Sequence, residues 1–187
     1  MAEPYRGRGN ESRDSLRRRF GAMSTEADAQ QRAHGLAGLG DLAITEGKPA
    51  QAISYLQRAL NLTPTEPQYH YLLGFAYTQA RRWHKAATSL AMAAQLNPGN
   101  AEYLRCLGWA FCNSEQVERG RDLLLAAHEI EPRNPYILAD LAASHLATDE
   151  YDLAHRYAAE ASSLAPGDPL IQSLVAVTER SEPAAGW

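Results

Sequence analysis

Residues 59–64 read Ala-Leu-Asn-Leu-Thr-Pro, and the phrase returns as "AAQLNP" at 93–98, "AHEIEP" at 127–132 and "ASSLAP" at 161–166. Its common form is Ala-x-x-[Leu/Ile]-x-Pro, with Pro64, Pro98, Pro132 and Pro166 spaced 34 residues apart each time. A fixed period of this length marks stacked helix-turn-helix units. Proline has no N–H to give a helix and turns the residue before it away from helical geometry, so each refrain predicts a helix end and a turn into the next unit.

With each proline counted as position 32, the units run over 33–66, 67–100, 101–134 and 135–168. The second contains His70-x2-Leu73-Gly74-x2-Tyr77, then Ala86-x3-Leu90-x2-Ala93; the third contains Leu104-x2-Leu107-Gly108-x2-Phe111, then Gly120-x3-Leu124-x2-Ala127. The first and fourth follow more loosely, with Leu36, Leu39, Gly40, Ala43, Ala52, Leu56 and Ala59, and with Leu138, Leu141, Ala142, His145, Ala154, Ala158 and Ala161. Large residues at positions 4, 7, 11 and 24 form the stripe along which paired helices pack. Gly or Ala at 8, 20 and 27 sits where two helices approach too closely for a larger side chain. Gly47 suits a tight turn between the two helices of the first unit.

This pattern resembles the tetratricopeptide repeat family over 134 of the 187 residues, and Trp83 and Tyr151 stand where that family commonly has an aromatic. The resemblance implies an all-α fold, a right-handed α-solenoid of four helix-turn-helix units followed by a C-terminal capping helix. Residues 169–181 are the expected cap, because "PLIQSLVAVTERS" begins a fifth first-type helix without a second, and 182–187 are a frayed tail. Residues 1–23 form a leader, either disordered or a short amphipathic helix with Leu16, Phe20 and Met23 at helical spacing. The repeat body occupies 24–168, where Ser24 and Thr25 are candidate helix caps.

Composition narrows the function. No apolar run approaches the roughly 20 residues needed to span a membrane, and "MAEPYRGRGN" has no apolar export segment, so a cytoplasmic protein is expected. Cys106 and Cys112 are six apart and turned away from one another on a helix, which suits neither a disulfide nor a metal pair. Residues 1–32 carry seven Arg against five Asp/Glu, and 33–187 eleven Lys/Arg against seventeen. The body therefore has no cationic footprint for nucleic acid.

No Gly-rich phosphate loop, nucleophile elbow or H-E-x-x-H motif occurs, so neither a cofactor nor catalysis is expected. His145 and His155, near Asp149, Glu150 and Asp152, are the nearest approach to a metal-like cluster. His145 fills an ordinary packing position and the acids fall in a turn, so the expected metal set is none.

In a solenoid of this family, positions 2, 5, 9 and 12 of each first helix point into a concave groove. The family's carboxylate clamp needs Lys and Asn there, and Ala37, Asp41 and Glu102 occupy those places instead. What stands there is aromatic and apolar: Tyr71, Phe75, Trp109, Tyr136 and Leu146, with Arg105 beside them. These six are the expected partner-binding residues, since rigid aromatics with one polar atom are common recognition anchors. The expected function is a non-catalytic adaptor holding an apolar segment of a partner protein, with a chaperone-like role included. A weaker resemblance is to the small bacterial chaperones of type III secretion translocators. The alternative is a homo-oligomeric scaffold whose leader or cap fills the groove of another copy.

Overall fold

The computed structural model describes residues 12–180, and every element among them is a helix. The frayed tail expected at 182–187, and the first part of the leader, lie outside the described residues. The chain divides after Pro98 into two compact units, each described by itself.

In the first unit α1 spans Arg13–Met23, α2 Ala29–Thr45, α3 Pro49–Leu62, α4 Pro67–Gln79 and α5 Trp83–Leu96. Helix α2 pairs with α3 and α4 with α5, while α3 packs on α4 and α1 on α2. The second unit contains α6 Ala101–Cys112, α7 Val117–Ile130, α8 Pro135–Leu146, α9 Tyr151–Leu164 and α10 Pro169–Arg180. Here α6 pairs with α7 and α8 with α9, and α10 lies against α9 and α8.

The refrain does what its chemistry requires. Helices α3, α5, α7 and α9 end at Leu62, Leu96, Ile130 and Leu164, two residues before each proline. The intervening Thr63, Asn97, Glu131 and Ala165 have ψ of 81°, 81°, 76° and 67°, out of the helical region as a following proline demands. The next first helix then starts from a cap: Asn100 accepts from the Tyr103 N–H at 3.1 Å, Asn134 from Tyr136 at 3.0 Å, and Asp168 from Leu170 at 2.9 Å. Within each pair the turn passes through one left-handed residue, Gly47, Arg81, Glu115 and Asp149 (φ 67°, 56°, 65° and 59°), again in the 34-residue rhythm.

Close approach explains the small residues. A Cβ on Gly74 would lie 2.5 Å from Leu90 Cγ, and one on Gly108 would lie 2.7 Å from the Gly120 carbonyl oxygen and 2.9 Å from Leu124 Cγ. Ala52, Leu56, Ala59, Ala86, Leu90, Ala93, Leu124, Ala127, Ala154, Ala158 and Ala161 are all 0% exposed. The same positions are thus sealed in all four repeats.

Helix α1 starts at the Ser12 cap and buries none of its own residues. It seats on α2 through two glycines. The Phe20 ring lies 2.5 Å from where a Gly38 Cβ would be, the Met23 and Ser24 backbone lies equally close over Gly35, and Phe20 meets His34 edge-on at 6.2 Å. Gly35 and Gly38 are positions 3 and 6 of the repeat, where α4 and α6 have the buried Tyr69, Leu72, Tyr103 and Cys106. Arg17 also pairs with Glu46.

Candidate functional site

The expected anchors divide between the two units. In the first, Tyr71 lies with its side chain buried, only 6% exposed, and packs at 6.4 Å from the half-buried Phe75 ring. This corrects the expectation that Tyr71 projects as a contact: a large aromatic beside its helix neighbour gains more by folding down on apolar surface than by standing in water. Ala37 and Ile44, at face positions of α2, are 4% and 2% exposed, and Gln79 on α4 donates to the Ile44 carbonyl at 3.2 Å. Among these groups Asp41 is stranded. Its Oδ1 is buried without a hydrogen-bond partner, and burial pushes its pKa from 3.8 to about 6.

The second unit keeps its face open. Trp109 on α6, Ala143 on α8 and Val177 on α10 all occupy position 9 of successive first helices. Trp109 is 36% exposed, Val177 43%, and Ala143 is exposed as well. Leu170, at position 2 of α10, is 58% exposed, while Tyr136 and Leu146 are half-buried. The Tyr136 hydroxyl bonds the Asp168 carboxylate. The result is an apolar shelf laid across three helices.

Arg105 is the second correction, because its guanidinium is already committed. Nε donates to Glu102 Oε2 at 2.8 Å, Nη2 to Glu102 Oε1 at 2.7 Å, and Nη1 to Asp140 Oδ2 at 2.6 Å, with the side chain only 12% exposed. A planar fork held by two carboxylates clamps α6 to α8 and has little left to offer a ligand. Burial raises the Asp140 carboxyl against the opposing pull of Arg105. The Cys106 thiol, which donates to Glu102 Oε1 at 3.3 Å, is driven well above its usual range by burial, so it is a structural and not a reactive thiol.

A second polar cluster joins α7, α8 and α9. Arg121 donates to Glu150 Oε1 at 2.8 Å and to the Ser144 carbonyl at 3.0 Å, and Glu150 Oε2 lies 3.2 Å from His145 Nδ1. His145 stacks on Tyr157 at 5.5 Å, and burial, with Arg121 nearby, holds its imidazole below the ordinary 6.5. His155 instead faces Thr178 on α10, 3.5 Å away, so the two histidines weighed as a metal pair serve different contacts. Among the described residues no group of three or more His, Cys, Asp or Glu side chains is placed to hold a metal ion, and no helix is long and apolar enough to cross a membrane.

Leu170 and Val177, exposed on α10, and Asp140, the partner of Arg105, were not among the expected contacts. The 34-residue step from Trp109 through Ala143 to Val177 carries the signal for Val177. Nothing local marks Asp140, because its partner is 35 residues away and across a helix pair.

These features define an all-α helical-repeat protein among the described residues. Residues 43–109 match the family model described as tetratricopeptide repeat. No curated protein sequence matches the chain. Among solved structures it is similar to TTC0263, a thermophilic TPR protein of Thermus thermophilus, with TM-score 0.77, 19% identity, and 90% of this chain and 89% of that one covered. It is also similar to MamA (TM-score 0.71, 21% identity, 82% and 89% covered) and to YrrB, a TPR protein with an unusual peptide-binding site (TM-score 0.72, 17% identity, 86% and 83% covered). Residues 43–109 thus carry the tetratricopeptide repeat signature, and the chain shares the helical-repeat fold of these solved structures.

Proposed function

We propose that the protein is a non-catalytic cytoplasmic adaptor that holds an apolar segment of a partner protein on the shelf of its second unit. The observation that carries this reading is the exposure of Trp109, Ala143 and Val177 at one repeat position on three successive helices, since packing within the repeats has no use for apolar surface there. Contiguous exposed apolar surface of this kind marks interaction sites. Tyr136 and Leu146 border the shelf within the same unit, while Phe75 belongs to the other unit, half-buried beside Tyr71. Arg105 acts as a clamp beneath the contact surface, and Tyr71 as packing. YrrB's described peptide-binding site, on a similar fold, supports the assignment. The two unpaired cysteines fit a reducing compartment.

Affinity capture tests it. Immobilised full-length chain and its Trp109→Ala variant are exposed to the same lysate, and the proteins held by the first and lost by the second are identified and titrated by calorimetry. Truncation of a central aromatic anchor should weaken binding by about 2 kcal/mol, more than tenfold, with the melting temperature nearly unchanged. Partners that bind both proteins equally, but are released by Arg58→Ala on the outer face of α3, would overturn the reading.

A further inference from the structure

Charge is divided unevenly along this chain. Residues 12–98 carry ten Lys/Arg against six Asp/Glu, a net +4, while residues 99–180 carry six against thirteen, a net −7. The shelf therefore belongs to a strongly acidic unit. The helices that carry the shelf, with the α10 cap, share the imbalance on a smaller scale: Glu102, Asp140, Asp168 and Glu179 against Arg105 and Arg180, while Glu131 and Arg133 balance one another in the turn beside Tyr136. Arg105 is committed internally, its guanidinium going to Glu102, Asp140 and the Cys106 sulfur, so that one cation is shared between two carboxylates. Arg180 is exposed at the last position of α10. The helices that carry Trp109, Tyr136 and Leu170 therefore have an excess of carboxylates over cations.

We infer that the segment taken up on this shelf is cationic as well as apolar: a protein segment that places an aromatic or aliphatic residue against Trp109 and Val177, and Lys or Arg side chains toward the surplus negative charge of α6, α8 and α10, Asp168 at the α10 cap included. The inference rests on the adaptor reading of the same shelf and adds the charge of the partner to it. Complementary charge across an interface speeds encounter and rejects wrong partners by like-charge repulsion. An acidic amphipathic segment would meet the net −7 of this unit and be turned away. Cations on flexible side chains can also lie over exposed aromatic faces, which gives a Lys or Arg of the partner a second favourable contact at Trp109.

The test is selection from a random peptide library on the immobilised full-length chain, followed by calorimetry with the recovered peptides themselves. The expected peptides combine an aromatic or aliphatic residue with two or more Lys/Arg. Their affinity should fall about tenfold or more on Trp109→Ala, and severalfold when the salt is raised from about 0.05 to 0.5 M. Substituting the peptide's Lys/Arg by Gln should weaken binding by a similar severalfold factor. Asp168→Asn should do so as well, since asparagine still caps α10 and leaves the fold intact. Recovered peptides that are acidic or uncharged, yet lose affinity on Trp109→Ala, would overturn the charge inference and leave the adaptor reading standing. Peptides indifferent to Trp109→Ala would overturn the shelf itself.

Discussion

Asp41 offers the sharpest quantitative check on the structure. Its carboxyl is buried on α2, its Oδ1 has no hydrogen-bond partner, and its pKa stands at about 6 instead of 3.8. The folded chain therefore binds the proton more tightly than the unfolded chain does. Below about pH 3 both states are largely protonated and Asp41 costs little. As pH rises from 3.8 through 6 the unfolded state ionises first, and stability falls until both are ionised. The full penalty above pH 6, converted at about 1.36 kcal/mol per pH unit, is about 3 kcal/mol. Asp41→Asn keeps the shape and removes the charge. Its amide remains poorly paired, a cost of about 1 to 3 kcal/mol that does not vary with pH. The decisive quantity is therefore the difference in stability between variant and parent measured at pH 4 and again at pH 7.5. Since the unfolded carboxyl is already partly ionised at pH 4, that difference should move by about 2.5 kcal/mol in favour of the variant as the pH is raised. Urea unfolding followed by the helical circular dichroism signal measures it directly. A difference that stays constant across this range would show that Asp41 is solvated or paired in solution, and would refute the burial argument.

Other perturbations probe the packing and the clamp. Gly108→Leu should destabilise by about 1 to 3 kcal/mol or more, because its Cβ alone would sit 2.7 Å from the Gly120 carbonyl oxygen; an unchanged melting temperature would contradict the close helix contact. Arg105→Ala should cost about 3 to 5 kcal/mol by leaving Glu102 and Asp140 without their shared cation, and part of that loss should return at low pH, where the two carboxylates become protonated. Thermal unfolding of both variants between pH 4 and 7.5 separates these two causes.

The repeat was legible in the sequence because its signals are local. A proline acts on the residue before it, and Thr63, Asn97, Glu131 and Ala165 leave the helix for that reason. An alanine or glycine at a fixed step declares how near the next helix comes, as Gly74 does against Leu90. The candidate site was harder to read because exposure depends on what lies across from a side chain. Tyr71 and Trp109 occupy equally outward positions by helical phase, at 5 and 9 of their repeats, yet one is 6% exposed and the other 36%. Arg105 has the spacing of a face residue, and only the approach of α8 shows that Asp140 has claimed it. The leader showed its own apolar spacing but not its seat, since two glycines on another helix announce nothing about the aromatic that will cover them.

The docking of α1 on Gly35 and Gly38 bears on how the molecule could grow. A repeat array has edges, and an uncovered edge invites another copy to add in register and continue into a filament. At this edge the landing place is shaped for one helix, since bare backbone at positions 3 and 6 gives an incoming second-type helix no side chains to interlock with, and Phe20 already fills the space. Lengthening the array from this side would first require α1 to be expelled. With none of its residues buried, α1 is held by the Phe20 ring on Gly38, the Met23–Ser24 backbone on Gly35 and an Arg17–Glu46 pair. That makes it a removable stopper, one that a second molecule's α1 could replace with an identical fit.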